Sequence, residues 1–230
     1  LHDTTAAVAT GAYKRSQLAT RYDDGTVTVV NGNETERMRV NAYGRDVDLP
    51  PNGFAGWTAD GAIEVISSDA PGHRCDYAFT PGHIFVDGRD TFTRFKKAAG
   101  NGLGICRILD DGRYEVIPYG DAECGFAIGD CSAVALGEDE SELGPADVRR
   151  ARGLTYVMPV EDAFSYILTR VAQGVAALAC DRDRVIPGER VLVRGRQDHE
   201  LQIPQDATPG DRIWERFEDE WIDFTVAPLA

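Results

Sequence analysis

Short runs of β-branched and aromatic residues recur along most of this chain, and Gly, Asp, Asn or Pro ends each run. The runs are roughly four to seven residues long, which is typical of antiparallel strands joined by tight turns. Because each hairpin hides one face only, many hairpins must pack against one another. The pattern therefore predicts an all-β fold of two antiparallel β-sandwich domains, Ig-like or jelly-roll-like, after a short N-terminal helical segment.

The first half of the chain contains the clearest hairpins. Residues 21–30 read as strand, turn and strand, with Asp24-Gly25 supplying positive φ angles at the turn. A second hairpin is predicted for 84–86 with 91–95, and a third for 104–109 with 113–118. Residues 62–67 and 75–79 are predicted to be a strand and its return.

Changes in composition along the chain predict the domain boundaries. Residues 1–18 are a helical tail, 19–136 the first β-sandwich, 137–145 an acidic linker and 146–230 the second β-sandwich. Strands in the second sandwich are predicted at 154–160, 163–169, 175–180, 188–195 and 200–204, and at 212–217 paired with 221–226. Helices are alternatives for 146–152 and 161–172.

Composition excludes several classes of partner. The chain has 24 basic and 38 acidic residues, a formal net charge of −14, which disfavours nucleic acid and anionic membrane surfaces. Its apolar runs are far shorter than the ~20 residues of a membrane-spanning helix. The first residues carry no secretory signal and resemble the interior of a longer gene product. The sequence therefore assigns no cellular location, and secretion or export to the periplasm as part of a larger precursor is one option.

Five cysteines without a Cys-x-x-Cys pair are expected to be small buried or idle thiols. One of them lies in Gly129-Asp130-Cys131-Ser132, which resembles the nucleophile segment of chymotrypsin-like cysteine proteases, with His73 and His83 as candidate bases. That family usually has Gly where this chain has Ser132. The protease is therefore the least favoured alternative.

Other candidate chemistry is diffuse. Carboxylates occur in pairs or triplets that could serve glycoside hydrolysis or calcium, but they lie in predicted turns: Asp46/Asp48, Asp110/Asp111, Asp181/Asp183, the 138–142 cluster and Glu218/Asp219/Glu220. His2, His73, His83 and His199 lack the spacing of zinc ligands. Asn33-Glu34-Thr35 fits a glycan acceptor. No catalytic residue, metal ligand or cofactor is assigned from the sequence.

Aromatic residues could stack on sugar rings, but they alternate with polar residues as core-facing strand positions do: Trp57, Trp214, Trp221, Phe54, Phe92, Phe95 and Phe224. Phe54 and Trp57 are three residues apart, so a regular strand places them on opposite faces. We expect Trp57 to face the core.

Two segments carry a family resemblance. Residues 21–31, RYDDGTVTVVN, and residues 44–57, GRDVDLPPNGFAGW, resemble the β-sandwich that follows the catalytic barrel of large bacterial glycoside hydrolases. Residues 73–77 (HRCDY), 84–89 (IFVDGR) and 92–95 (FTRF) are similar too. The likeness covers roughly residues 10–130, and these motifs are structural.

The resemblance implies a non-catalytic accessory region of a carbohydrate-active enzyme, whose catalytic residues would lie upstream of Leu1. Its partners would be that upstream catalytic domain and a polysaccharide. The alternative function is that of a free-standing carbohydrate-binding module. A pair of aromatic residues exposed on one face of a sheet would indicate such a module.

Overall fold

The computed structural model describes residues 2–69, 72–171, 178, 180, 182–195, 197–217 and 220–228. It begins with one short α-helix, α1 (Thr4–Thr10), capped by the Asp3 side chain and ended by Gly11 in the left-handed conformation. A 3₁₀ turn, Ala12–Arg15, leads into the first strand. The predicted N-terminal helical segment is confirmed.

Strands form most of the remaining described structure. In chain order, the first twelve are β1 (Gln17–Arg21), β2 (Val27–Asn31), β3 (Met38–Ala42), β4 (Arg45–Leu49), β5 (Phe54–Trp57), β6 (Glu64–Ser68), β7 (Cys75–Phe79), β8 (His83–Asp87), β9 (Thr93–Arg94), β10 (Ala98–Gly100), β11 (Leu103–Ile108) and β12 (Tyr114–Pro118). The others are β13 (Cys124–Phe126), β14 (Cys131–Leu136), β15 (Glu142–Ala146), β16 (Val148–Ala151), β17 (Leu154–Val157), β18 (Ser165–Arg170), β19 (Arg184–Val185), β20 (Arg190–Val193), β21 (His199–Gln202), β22 (Arg212–Phe217) and β23 (Glu220–Val226).

These strands form open sheets. The long sheet has the order β1-β2-β5-β6-β7-β8-β11-β12-β18-β14-β15, and a five-stranded sheet, β16-β17-β13-β10-β9, packs on it. The β3–β4 hairpin is a separate two-stranded sheet. Toward the C-terminus lie the sheets β19-β23-β22 and β20-β21. Within the described residues the pairing is antiparallel except between β19 and β23, so the predicted all-β, sandwich-like class is confirmed.

Several predicted hairpins are present. Strand β1 pairs with β2, and between them Gly25 has a φ of 83° while its amide donates to the Tyr22 carbonyl. Strands β6 and β7, β11 and β12, and β22 and β23 also pair as expected. These segments alternate apolar and polar residues around clear turn residues, so local sequence specifies them.

Other expectations were wrong. Strand β8 does not form a hairpin with residues 91–95, because it pairs with β7 and β11 while β9 pairs with β10 in the other sheet. The segments 146–152 and 161–172, for which helices were alternatives, contain β16 and β18. The predicted strand 175–180 lies mostly outside the described residues.

The expected linker 137–145 is a turn followed by an edge strand. Strand β15 pairs with β14, and its Glu142 and Pro145 are exposed. One edge of such a strand makes no hydrogen bonds to a neighbouring strand, so acidic residues and proline are tolerated there. The composition of β15 therefore resembles that of a loop. Strand β18, assigned from the sequence to the second sandwich, lies between β12 and β14. The change from the long sheet to the C-terminal sheets therefore falls between Arg170 and Arg184.

We call residues 2–69 and 72–171 the first body, and 182–195, 197–217 and 220–228 the C-terminal unit. The largest core cluster lies between the long and five-stranded sheets of the first body and includes Tyr77, Val86, Cys106, Val116, Phe126 and Leu168. A second cluster lies beneath the β3–β4 hairpin and includes Val27, Val29, Met38 and Leu49. The C-terminal unit has its own cluster, with Val185, Val193, Ile203, Ile222 and Phe224.

Candidate functional site

Two of the segments that carry the family resemblance meet at one buried amide. Asn31, the last residue of β2, is fully buried. Its Nδ2 donates to the carbonyls of Glu36 (2.8 Å) and Pro50 (2.8 Å) and approaches that of Leu49 (3.3 Å). Since buried carbonyl groups without partners are costly, this side chain fixes the chain where it enters the Pro-Pro turn. The end of the first motif thus holds the Pro-Pro turn in the middle of the second.

The turn itself is held from the other side by Arg74. The Arg74 guanidinium donates to the Pro51 carbonyl at 3.0 Å and the Asn52 carbonyl at 2.7 Å. Gly53 completes the turn because a Cβ there would lie 2.8 Å from the Pro50 carbonyl oxygen. The third motif, residues 73–77, therefore fastens the second one to the sheet.

The chain of contacts continues to the fourth motif. Arg74 Nε donates to Ser67 Oγ at 2.9 Å, and Ser67 in turn contacts Asp76. Arg89 Nε donates to Asp76 Oδ2 at 3.0 Å. Asn31, the 50–52 turn, Arg74, Asp76 and Arg89 thus form one polar network, which we call the motif junction.

The Ser67–Asp76 part of the motif junction lies on the outer face of the long sheet, the face turned away from the β3–β4 hairpin and the five-stranded sheet, whereas Asn31 shares the inner face with Val27 and Val29. Ser67 is directly opposite Phe54 on β5, which is opposite Val30 on β2, which is opposite Leu18 on β1. Directly opposed residues point to the same side of a sheet. Leu18 is 62% exposed and Phe54 44% exposed, so apolar side chains border the junction in contact with solvent.

A second outward row is apolar across five adjacent strands. It runs through Val65 (β6), Ala78 (β7), Phe85 (β8), Ile105 (β11) and Ile117 (β12), each opposite the next. All five are partly exposed, whereas their inward-pointing neighbours Tyr77, Val86, Cys106 and Val116 are buried. Beyond the row, Leu103 and the 77%-exposed Tyr119 extend the apolar surface.

A buried cluster of charged residues joins the first body to the C-terminal unit. Asp223 on β23 is fully buried, and its Oδ2 accepts from Arg94 Nη2 at 2.7 Å and from Arg212. Arg152 lies 3.2 Å from Oδ1 and donates to the Asp223 carbonyl at 3.1 Å. Arg212 also donates to Glu123 at 3.1 Å. Arg94 and Arg152 belong to the first body, so Asp223 is the centre of what we call the arginine joint.

Aromatic rings surround these guanidinium groups. The Arg212 guanidinium lies 3.5 Å from the centre of the Phe92 ring, and Arg149 lies 4.3 Å from that of Trp221. Tyr156 meets Trp214 edge to face, with ring centres 4.9 Å apart. Arginine stacks well on aromatic faces while it pairs with carboxylates, so the joint combines both contacts.

Charge keeps Asp223 ionised despite its burial. Burial by itself would raise the pKa of Asp223, but the positive charges of Arg212 and Arg94 outweigh it and hold the pKa below the ordinary value of 3.8. The carboxylate is therefore present as a charge near neutral pH, where it balances the arginines.

The aromatic residues considered for sugar binding have mostly internal contacts. Phe224 is fully buried, Phe95 stacks on Tyr77 with ring centres 4.8 Å apart, and Trp214 packs at the joint. Trp57 is half-buried against the cluster beneath β3–β4, with Arg45 over its ring at 4.8 Å. Phe54 projects from the opposite face of the sheet. The prediction that Phe54 and Trp57 lie on opposite faces is therefore confirmed.

The expected burial of the thiols is confirmed for four of them. Cys75, Cys106, Cys124 and Cys131 are buried, and Cys180 is partly exposed. Burial raises the pKa of Cys75 to about 11 and that of Cys106 and Cys124 to about 12. A nucleophilic cysteine needs the opposite shift.

The protease candidates have other surroundings. Burial raises the pKa of Cys131, which lies opposite Arg170 in the sheet. His73 Nε2 is 2.8 Å from Thr93 Oγ1, and His83 is an exposed residue of β8. Cys131 is the first residue of β14, so the Gly129–Ser132 segment leads into the long sheet.

The paired carboxylates are dispersed. Asp48 pairs with Arg37 and Arg39, Asp111 with Arg113, and Glu220 accepts from the Leu178 amide. Asp183 is exposed and lies 3.8 Å from Arg94, while Asp181, Glu218 and Asp219 lie outside the described residues. In the part of the chain that is described, His, Cys, Asp and Glu side chains form no group of three or more that could hold a metal ion.

Asn33 and α1 complete the survey of candidate features. Asn33 Oδ1 accepts from the amides of Thr35 (2.9 Å) and Glu36 (2.8 Å), so the possible glycan acceptor lies in a polar turn. Among the described helices, none has the length and apolar character needed to cross a membrane.

Sequence reasoning missed the arginine joint and the outer face. Arg94, Arg152 and Arg212 are far apart in the chain and were not distinguishable from surface arginines. The outer face did leave a signal, since the runs at 77–79, 84–86 and 103–106 are apolar without strict alternation, a pattern of strands buried on both faces. Comparison with family models, with curated protein sequences and with solved structures gives no match to this chain.

Proposed function

We propose that this chain is a non-catalytic accessory region of a carbohydrate-active enzyme of the glycoside hydrolase type, which supports a catalytic domain or positions its substrate. The observation that carries the proposal is the motif junction. Four separate segments chosen for their resemblance to such accessory sandwiches form one continuous hydrogen-bonded network. The segments lie close together in the long sheet, on β2, β5, β7 and β8, and these hydrogen bonds give all four a shared structural role.

The use of aromatic residues favours a supporting role over sugar binding by the chain itself. Rings that could form a sugar-stacking platform are occupied by arginines or by other rings, as at Phe92, Phe95, Trp214 and Trp221. On the outer face, Phe54 on β5 and Tyr119 beyond the end of β12 are separated by five strand spacings, about 24 Å at ~4.8 Å each, so they do not form a compact pair. The free-standing binding module is therefore the second candidate.

The experiment compares the 230-residue chain with the longer polypeptide encoded by the same reading frame. We expect the chain alone to hydrolyse no aryl glycoside or polysaccharide above background, and the longer polypeptide to hydrolyse at least one. Turnover by the 230-residue chain that is lost when one of its own carboxylates is replaced would refute the accessory role. Retention on a polysaccharide column that is lost in Phe54→Ala, with stability unchanged, would favour the binding module instead.

A further inference from the structure

Strand β1 is an edge strand of the long sheet, and one side of its backbone has no partner strand among the described residues. Antiparallel strands alternate between hydrogen-bonded and non-hydrogen-bonded residue pairs. The Gly32 amide donates to the Ser16 carbonyl at 2.8 Å, so the even-numbered residues of β1 are the ones bonded to β2. The amides and carbonyls of Gln17, Ala19 and Arg21 therefore point away from β2, toward the free edge.

The opposite edge of the long sheet is protected against pairing with another strand, and the β1 edge is not. Strand β15 carries an exposed Glu142, a proline without an amide hydrogen at Pro145, and a register shift against β14. Charge, proline and irregular register are devices that keep sheet edges from associating. Strand β1 has five residues in regular register with β2, no proline, and a single charged residue at its end. Its edge is therefore suited to accept another strand.

Apolar side chains beside this edge are in contact with solvent. Leu18 on β1 is 62% exposed, and Val30, which lies opposite it on β2, is 44% exposed. Tyr22, directly after β1, is 53% exposed. A strand added at the edge would remove part of this surface from water, which favours association.

We propose that β1 pairs with β1 of a second copy of this chain, antiparallel and about a two-fold axis at Ala19. In this register Ala19 lies opposite Ala19 of the second copy and Gln17 lies opposite Arg21, so each pair exchanges two main-chain hydrogen bonds. The two Leu18 side chains become diagonal neighbours on the outer face. Such an interface uses the same edge of both copies and closes on itself as a dimer. The inference is independent of the proposed function.

The charges around the edge are complementary in this arrangement. The chain has a net charge of −14, but residues 4–22 contain three basic residues and no acidic one. The exposed pair Lys14-Arg15 precedes β1, and the exposed pair Asp23-Asp24 follows it. Antiparallel pairing places the beginning of β1 beside the end of β1 in the second copy. The basic pair of each copy therefore faces the acidic pair of the other, which favours this register.

Sedimentation velocity of the 230-residue chain over a thousandfold range of concentration tests the inference. We expect a reversible equilibrium between monomer and dimer, weak as is typical of a small interface, with no larger species. Ala19→Pro should weaken the dimer at least tenfold, because proline removes an amide that faces the free edge and leaves the bonds between β1 and β2 in place. Ala19→Ser keeps that amide, so it is the matched control and should dimerise like the wild type.

Charge reversal tests the register without changing the backbone. Arg15→Glu and Asp23→Arg should each weaken self-association at least fivefold, because each places like charges together at both ends of the interface. An equimolar mixture of the two variants should form a heterodimer as readily as the wild type dimerises, because the reversed charges of the two chains are complementary. Arg190→Glu, at an exposed position of β20, is the matched control and should leave dimerisation unchanged.

Amide hydrogen exchange measures the edge itself. The Ala19 amide should exchange more slowly as the concentration of the chain rises, because it becomes hydrogen-bonded in the dimer. The Thr20 amide faces β2 in the monomer already, so its exchange should not change with concentration.

Three outcomes would overturn the inference: a chain that stays monomeric over the whole range, association that continues beyond the dimer, or an Ala19→Pro variant that dimerises like the wild type. If Ala19→Pro fails to fold, the two charge-reversed variants decide, and the inference is wrong if their mixture forms no heterodimer. A dimer that is lost in Ile105→Asp and kept in Ala19→Pro would place the interface on the outer face instead.

Discussion

The arginine joint and the outer face reverse the usual distribution of side chains. At the joint, the carboxylate of Asp223 and parts of Arg94, Arg152 and Arg212 are removed from water, while on the outer face Val65, Phe85 and their neighbours remain partly exposed. Ionic groups are buried at a cost that is offset only by close pairing, and apolar groups lose stabilisation when they stay in water. The first surface consists of paired charges shielded from water, and the second consists of apolar side chains in partial contact with it.

The comparison also explains how the chain is divided. The predicted linker at 137–145 lies within the long sheet, whereas the arginine joint is where the first body meets the C-terminal unit. Arginines from β9 and from the β16–β17 turn contact Asp223, so the attachment of the C-terminal unit depends on residues distant in the sequence. Separability of the two units should therefore be governed by Asp223.

Asp223→Asn is expected to have the largest effect. Removing one partner of a buried ion-pair network leaves the other charges uncompensated and typically costs about 3–5 kcal/mol. The free energy of unfolding, measured by urea denaturation, should fall by that amount. Asp183→Asn is the matched control: this carboxylate is half-exposed and 3.8 Å from Arg94, so its loss should cost less than about 1 kcal/mol. Equal effects of the two substitutions would remove the distinction between the joint and an ordinary surface pair.

Protonation of Asp223 at low pH should lower the free energy of unfolding, as Asp223→Asn does. Because the pKa of Asp223 is lowered from 3.8 in the folded protein, its ionisation contributes stability above that pH, and the contribution is lost as pH falls below it. Between pH 5 and pH 3, the wild-type protein should therefore lose more unfolding free energy than Asp223→Asn. Parallel curves for the two proteins would contradict the lowered pKa.

Trp57→Ala should cause the second-largest loss in the free energy of unfolding. The Trp57 ring is half-buried and covered by Arg45, so its truncation should cost about 2–3 kcal/mol, somewhat below the loss at a fully buried aromatic site. Phe54→Ala, in the same strand but on the outer face, should cost less than about 1 kcal/mol. The melting temperatures of the two variants give the comparison directly, and neither should change retention on a polysaccharide column.

These two residues show how far the sequence could lead. The period of a strand placed Phe54 and Trp57 on opposite faces, and Asp24-Gly25 marked a hairpin, because both signals are local. The pairing of β8 with β11 and the insertion of β18 between β12 and β14 were missed, since they depend on contacts distant in sequence. The same holds for Asp223, whose role becomes visible only when β23 lies beside β16.

Asn31→Ala should have an intermediate effect, because it acts at the junction where the motif segments meet. The substitution removes the donor to the buried Leu49 and Pro50 carbonyls, and a loss of about 2 kcal/mol is expected for leaving buried acceptors without this partner. Asn41→Ala is the control, since this exposed side chain donates to Asp46 and accepts from the Gly44 amide, both in contact with solvent. If Asn31→Ala were no more destabilising than Asn41→Ala in urea, the turn at 50–53 would not depend on this amide.

The smallest change is expected on the outer face itself, and it gives the sharpest contrast with the core behind it. Ile105→Thr places a hydroxyl where the side chain is already partly in water, so the free energy of unfolding of the 230-residue chain should stay within about 0.5 kcal/mol of wild type. Val116→Thr, on the adjacent strand but facing the core, buries a hydroxyl among apolar groups and should cost about 1–3 kcal/mol. Ile105→Thr should also raise the concentration at which the chain begins to precipitate, because it interrupts the apolar row. A large loss of stability in Ile105→Thr would mean that the outer face is already packed within this chain, and the difference between the two surfaces would disappear.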